Sequence, residues 1–286
     1  MTAPRRLAVL GQPIAHSRSP AMHSAALAEL GLDGEWSYEA IEVSPAEFET
    51  RVRSMPAEGF VGANVTVPHK VAALELADGA SVAAREIGAA NTITFDDRGI
   101  VAENTDATGF LDALPRPPRG SRALVLGAGG SARAVVWALV GSGAEVWIWN
   151  RTPERAERLA EELGGTALRP GAEGQAPPSR AFGLIVNATT VGMGASDVRS
   201  DDLKSLPIDV DALEQTEQLV DLAYGSAETE LAGLARAHGT AVVDGLEVLV
   251  HQGAASLRIW TGLEPPIEAM RQAARSTWPP TSASDT

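Results

Sequence analysis

The chain has 286 residues, 44% of them hydrophobic, which is enough for two domains at roughly 100–200 residues each. Its formal charge of −14 disfavours nucleic acid and anionic membranes as partners, and its arginines are scattered instead of massed in one stripe. No cysteine is present and the five histidines lack ligand spacing, so disulfides, thiol chemistry and metal sites are not expected; with no apolar run near the ~20 residues of a membrane span and no signal peptide evident, the expected location is cytoplasmic.

Residues 5–10 read as a strand ending at Gly11. Ser19-Pro20 places an N-cap before a proline at the first helical position, which predicts a helix to about Gly31. Trp36 to Val43 alternates like a strand, Ser44-Pro45 opens a second helix by the same device, and Phe60 to Val67 reads as a strand that Pro68 ends. Ala90 to Phe95 and Ile100 to Ala102 flank Asp96-Asp97-Arg98-Gly99, a hairpin turn sequence. Residues 114–120 hold three prolines and form a connection into a second domain. Beyond it, short apolar runs at 122–126, 145–149, 182–186, 219–222 and 241–243 alternate with helix-like segments, the rhythm of a parallel sheet with crossover helices. Residues 164–180 read as a loose loop, 245–275 as two helices broken at 261–266, and 277–286 as a frayed tail.

Lys70 stands out because 21 of the 23 basic residues are Arg; the only other lysine, Lys204, lies in a polar stretch without a turn or pocket signature. Guanidinium stays charged at any working pH, whereas an ammonium can be tuned to give and take protons. Lys70 is therefore a candidate proton carrier, with solvated surface charge as the alternative.

Val125-Leu126-Gly127-Ala128-Gly129-Gly130-Ser131-Ala132 is apolar strand, glycine turn and helix start, the G-x-G-x-x-A variant of the dinucleotide fingerprint. Gly127 permits the turn, Gly129 lets backbone approach pyrophosphate, and the helix N-terminus offers free N–H donors alongside Ala128, Gly130 and Ser131. The following strand ends in Asn150-Arg151-Thr152-Pro153-Glu154-Arg155 with no carboxylate at its end. Arg151 and Arg155 can converge on a 2′-phosphate while Asn150 and Thr152 supply hydrogen bonds, so NADP(H) is expected over NAD; pairing of these arginines with Glu154 and Glu157 is the competing reading.

With these segments in place, the chain resembles the shikimate/quinate dehydrogenase family over nearly its whole length. The likeness rests on ordered motifs: Ser17-Arg18-Ser19-Pro20, Asn64 to Lys70, Gly88-Ala89-Ala90-Asn91-Thr92, Asn104-Thr105-Asp106, Gly127 to Ala132, Asn150 to Arg155, Asn187-Ala188-Thr189, and Asp244-Gly245-Leu246 with Gln252-Gly253. The resemblance implies reversible NADPH-linked reduction of 3-dehydroshikimate to shikimate in aromatic amino-acid biosynthesis. It implies that Ser17 and Ser19 hold the substrate carboxylate and that Asn64, Asn91, Asp106 and Gln252 bind its hydroxyls. Thr66 and Tyr224 join the substrate side, and Leu222 and Gly245 the cofactor side. Lys70 and Asp106 become the catalytic pair. For Ser17, Ser19 and Asp106 helix capping is the alternative, and for Asn64 and Asn91 loop stabilisation. After Tyr224 the chain departs from many relatives, with Gly225-Ser226 where they carry Asn-Pro, and Val248 stands where Met is common.

The expected fold is α/β with two domains and a cleft between them: a substrate domain of 1–105 plus 246–286 and a doubly wound, Rossmann-type NADP domain of 106–245. Broader use of quinate, or a catalytically silent NADPH-binding paralogue, are the alternative functions. A homodimer stays open, since the sequence does not read out oligomeric state.

Overall fold

The computed structural model describes residues 4–169, 182–192, 206–208, 210–225 and 228–276. Lys204, Ser226, the tail from 277 and most of the expected 164–180 loop lie outside the described residues.

Two six-stranded sheets organise the chain. In the first, β1 (Arg5–Gly11) pairs in parallel with β2 (Trp36–Glu42) on one side and β3 (Phe60–Val65) on the other. β3 then pairs antiparallel with β5 (Thr92–Asp96), which folds back into β6 (Gly99–Glu103), and short β4 (Gly79–Ala80) pairs with β6 at the edge. Alternation along β1 explains its wholly apolar sequence. Leu7 and Val9 face α1 (Ser19–Glu29), α10 (Gly245–Thr261) and α11 (Ile267–Arg275), while Ala8 and Leu10 face Phe48 and Val52 of α2 (Phe48–Ser54).

The second sheet is parallel throughout, in the order β12 (Ala241–Asp244), β11 (Gln218–Asp221), β10 (Leu184–Asn187), β7 (Arg122–Leu126), β8 (Glu145–Trp149), β9 (Thr166–Leu168). This is the doubly wound dinucleotide-binding arrangement, and its direction reverses between β7 and β10. Residues of β7 again split between faces, Ala123 and Val125 in one core and Leu124 and Leu126 in the other. α6 (Gly130–Gly141) and α7 (Pro153–Leu163) cross over between β7, β8 and β9, and α8 (Val210–Glu214) and α9 (Glu230–Ala237) serve the other half.

Several local expectations shift. Ser19 is the first residue of α1 and not its cap: Arg18 precedes it with near-helical backbone and no side-chain cap forms, while the Ser17 hydroxyl accepts the Ser19 N–H at 3.3 Å. The helix expected from Ser44-Pro45 starts only at Phe48, after a turn in which the Ser44 hydroxyl donates to Glu47 at 2.5 Å. Within the expected 164–180 loop, Thr166–Leu168 forms β9, because pairing with Trp147 to Trp149 of β8 supplies the order its own composition lacks. α3 (Lys70–Glu75), α4 (Val82–Ile87) and β4 are short elements that the apolar pattern does not announce.

α5 (Asp106–Ala113) joins the two sheets. Its Ala107 and Phe110 enter the core of the second sheet with Ile87 of α4, and it also packs against α10 and α6. The α5–α10 crossing is so close that a Cβ on Gly109 would stand 2.6 Å from the Gln252 Cα. Gly109→Ala is therefore expected to lower stability by about 1–3 kcal/mol through overpacking, against the usual gain for alanine in a helix. Gly141→Ala, where a Cβ meets nothing within 4 Å, should be neutral or stabilising. Urea denaturation of both variants checks the contrast, and equal midpoints would remove the close crossing as a constraint.

Candidate active site

β3 ends where Pro68, lacking an N–H, cannot continue the ladder, and the His69 N–H turns back to the Thr66 carbonyl at 2.9 Å. α3 begins at the next residue. The His69 ring is a core group, stacked on Phe48 with centroids 4.3 Å apart and its Nε2 2.7 Å from the Val43 carbonyl. That anchor and the Ala90 N–H on the Lys70 carbonyl, at 2.8 Å, fix the backbone of Lys70. Lys70 is buried to 9% exposure, and Nζ donates to Asp106 Oδ2 at 2.6 Å and to Ser131 Oγ at 3.0 Å. Asp106 does not cap α5, since Thr105 holds the cap position; Asp106 is the first helical residue, and its Oδ1 accepts from Asn91 Nδ2 at 2.8 Å.

Asn91 is the centre of a buried polar network. Its Oδ1 accepts the Thr105 N–H at 2.7 Å, and its Nδ2 also reaches Thr105 Oγ1 at 2.9 Å and Gln252 Oε1 at 3.0 Å. Gln252, from the distant α10, is thereby brought to the pair. Asn64 adjoins this network: Oδ1 accepts from Tyr38 at 2.7 Å, and Nδ2 donates to Ser256 at 2.8 Å and to Asn91 O and Thr92 Oγ1 at 3.2 Å each. Sequence reasoning assigns no site role to Tyr38, Thr92, Thr105 or Ser256. Two signals could have found part of the set: Ser256 lies four residues after Gln252 on one helix face, and Tyr38 is one of only two tyrosines.

The second tyrosine, Tyr224, closes the same end. Burial raises its phenol above the usual range, while the Arg18 charge and the Ser17 hydroxyl oppose the shift. Burial likewise pushes the Tyr38 phenol well up, opposed by Ser19 and reinforced by Tyr224. Ser17, Ser19 and both tyrosines thus form one cluster. Thr66 stands beside Gly11, where a Cβ would meet its methyl group, and its hydroxyl has no hydrogen-bond partner among the described residues. His23 stacks on Tyr38 with centroids 4.1 Å apart, and burial lowers its pKa to about 3, so it is a neutral core residue at working pH.

The glycine turn sits at the reversal point of the second sheet. Gly127 has φ +112°, donates to the Trp149 carbonyl at 2.7 Å, and would place a Cβ 2.8 Å from the Ala188 carbonyl of the neighbouring strand end. Gly129 caps α6 without a side-chain hydrogen bond, and nothing stands within 4 Å of where its Cβ would be. Unfilled N–H donors facing open space are what a pyrophosphate requires. Gly130 lies against Lys70, its would-be Cβ 3.0 Å from the lysine Cβ. Ala128 is half-buried in this turn.

Beyond β8, Asn150 Nδ2 donates to the Thr152 carbonyl at 2.9 Å, and Arg151 and Arg155 are exposed with no acidic partner among the described residues. Glu157 pairs with Arg169 instead, which takes one of the two carboxylates of the competing ion-pair reading away from these arginines. Leu222 and Gly245 meet at the ends of β11 and β12, a Cβ on Gly245 falling 2.5 Å from the Leu222 carbonyl. The buried Asp221 accepts from Asn187 Nδ2 at 2.8 Å, from the Ala223 N–H at 3.2 Å and from Thr229, and so shapes the loop carrying Leu222 and Tyr224; burial raises its pKa. Among the described residues no group of three or more His, Asp or Glu side chains is arranged to hold a metal, and no helix is long and apolar enough to cross a membrane.

Three family models match the chain: a shikimate dehydrogenase substrate binding domain over residues 9–93, a shikimate / quinate 5-dehydrogenase over 116–171, and a shikimate 5′-dehydrogenase C-terminal domain over 245–275. A shikimate dehydrogenase (NADP(+)) of Thermus thermophilus is 43% identical over 272 residues, covering 94% of this chain and 97% of the relative. One from Moorella thermoacetica is 39% identical over 279 residues, covering 94% and 92%. The crystal structure of a Thermus thermophilus shikimate 5-dehydrogenase, in complex with NADP(H) and shikimate, aligns with a TM-score of 0.82 at 43% identity, over 95% of this chain and 98% of that one. On sequence and fold together, the chain belongs to the shikimate dehydrogenase family.

Proposed function

We propose that this protein catalyses the reversible NADPH-dependent reduction of 3-dehydroshikimate to shikimate, a step of aromatic amino-acid (chorismate) biosynthesis in the cytoplasm. One observation carries the reading: Lys70 and Asp106 are ion-paired at 2.6 Å with little solvent exposure, between a polar pocket and an open phosphate-binding turn. The NADP(H) and shikimate bound in the Thermus structure support the choice of ligands. We assign residues 1–105 plus 246–286 to the substrate domain and 106–245 to the NADP domain.

NADPH, when bound, supplies the hydride. The chain's own part is the proton. Lys70 as ammonium donates to the carbonyl oxygen during reduction, and as amine it takes the hydroxyl proton back during oxidation. Asp106 balances the ammonium and orients a ring hydroxyl, and Asn91 holds Asp106 in place. Gln252 Oε1 and the remaining lone pair of Asn64 Oδ1 are assigned to the other ring hydroxyls, with the unpaired hydroxyl of Thr66. Ser17, Ser19 and Tyr224 donate to the carboxylate beside Arg18. The turn from Gly127 to Ser131 holds the pyrophosphate, Asn150, Arg151, Thr152 and Arg155 the 2′-phosphate, and Leu222 and Gly245 wall the nicotinamide end.

An assay of NADP⁺ reduction with shikimate, run in parallel with quinate, tests the assignment directly; no turnover with either would sink it. Lys70→Ala should lower kcat by about 10²- to 10⁴-fold, the range of general acid–base catalysis, with shikimate affinity by calorimetry within a few-fold of the parent. Unchanged turnover would take Lys70 out of the mechanism. Arg151→Ala and Arg155→Ala should each raise the KM for NADPH by about tenfold or more, the worth of one charge-assisted hydrogen bond, and leave the KM for NADH nearly unchanged. Equal losses with both cofactors would refute a 2′-phosphate site.

A further inference from the structure

We infer that Ser131 positions Lys70 for proton transfer, acting through its side-chain hydroxyl in addition to any contact its backbone makes with the cofactor. This rests on the proton role assigned to Lys70. A lysine ammonium has three N–H donors and no acceptor. In this structure two are committed: one to Asp106 Oδ2 at 2.6 Å and one to Ser131 Oγ at 3.0 Å. The partners come from two different helices, Asp106 from the first turn of α5 and Ser131 from the first turn of α6. Two fixed N–H vectors determine the direction of the third, which is the one left to meet a substrate oxygen.

The reason for needing the second anchor is the length of the side chain. Lysine carries its ammonium on a flexible four-carbon stem, and a single ion pair lets that charge swing about the carboxylate. Packing already limits the lower half of the stem, because Gly130 approaches the Lys70 Cβ and Cδ closely enough that a Cβ there would lie 3.0 and 3.1 Å from them. The Ser131 hydroxyl limits the upper half. At the second position of a helix a serine is not needed for capping, since Gly129 holds the cap and makes no side-chain bond. The hydroxyl of Ser131 has one hydrogen-bond partner among the described residues, and that partner is Lys70.

The chain contains two lysines, Lys70 and Lys204, which makes a direct readout available. With lysine labelled selectively with ¹⁵N, side-chain NMR of the cofactor-free protein gives two signals, and Lys70→Ala identifies which belongs to Lys70. Ser131→Ala should shift and broaden the Lys70 signal while leaving that of Lys204 in place, and should lower kcat about ten- to a hundredfold, the span of one hydrogen bond to a charged group. The dissociation constant for NADPH, read by fluorescence, and that for shikimate should change by less than about threefold, a small fraction of one such bond. Ser131→Thr, which retains the hydroxyl, should restore both the signal and kcat. In the Lys70→Ala background, Ser131→Ala should cause little further loss, because both act through one group.

The inference is overturned if Ser131→Ala weakens NADPH binding at unchanged kcat, if the Lys70 signal is unaffected, or if the two substitutions multiply. Failure of the underlying reading looks different: the parent protein itself would not turn over shikimate.

Discussion

A buried ammonium and carboxylate 2.6 Å apart are the constraint around which the rest of this molecule is arranged. Removing two charges from water costs several kcal/mol per ion, and mutual attraction offsets that only when geometry is held tightly and the remaining lone pairs and N–H groups are satisfied. Residues that do no chemistry meet both conditions save at one ammonium N–H, the one left for substrate. Asn91 takes the second carboxylate oxygen, Ser131 the second ammonium proton, and Thr105, Thr92 and Ser256 satisfy the amides behind them. Such a network is worth more than its pairs because each bond polarises the next in a low-dielectric interior.

The two charges arrive from different parts of the fold. Lys70 comes from the helix that follows β3 of the first sheet, and Asp106 from the helix that leaves it for the second. The opposite face of the crevice is supplied by the reversal in strand order between β7 and β10, where Gly127 and Ala188 sit side by side. Parallel sheets place crossover helices so that their N-termini point into that crevice, which is why the glycine turn and Ser131 lie next to the lysine. Asp221, buried and bonded to Asn187, Thr229 and Ala223, fixes the neighbouring strand end by hydrogen bonds to neutral groups.

Much of this was legible in the sequence because it is written in short-range patterns. Strands buried on both faces are apolar runs, and the β7 to α6 turn is readable from Gly127, Gly129 and Ala132 alone. The hairpin at Asp96 to Gly99 is announced by its turn chemistry. The elements that escaped depend on partners far along the chain. Thr166 to Leu168 is a strand because β8 offers an edge, and α3 has only six residues, too few to show a helical period. Ser19 looked like a cap because Ser-Pro is the usual cap signal, yet the helix winds one residue earlier and leaves its hydroxyl beside Tyr38. Thr92 carries no local signal at all, and the weak ones of Tyr38 and Ser256 gain meaning only where β2, β5 and α10 meet.

The close crossing of α5 and α10 bears on how this pocket can change over evolution. Asp106 and Gly109 occupy one face of α5, and Gln252 occupies the facing turn of α10 at the point of nearest approach. Any side chain added at Gly109 would push α10 and the helix that carries Asp106 apart, so this crossing cannot be reshaped without moving the carboxylate that steers the proton. The opposite wall has no such linkage: Ser17, Ser19 and Tyr224 lie on a loop, a helix start and a strand-end loop, and none is bonded to Lys70 or Asp106. New substrates in this lineage are therefore to be sought through exchanges on the serine and tyrosine side, with the α5–α10 side inherited unchanged.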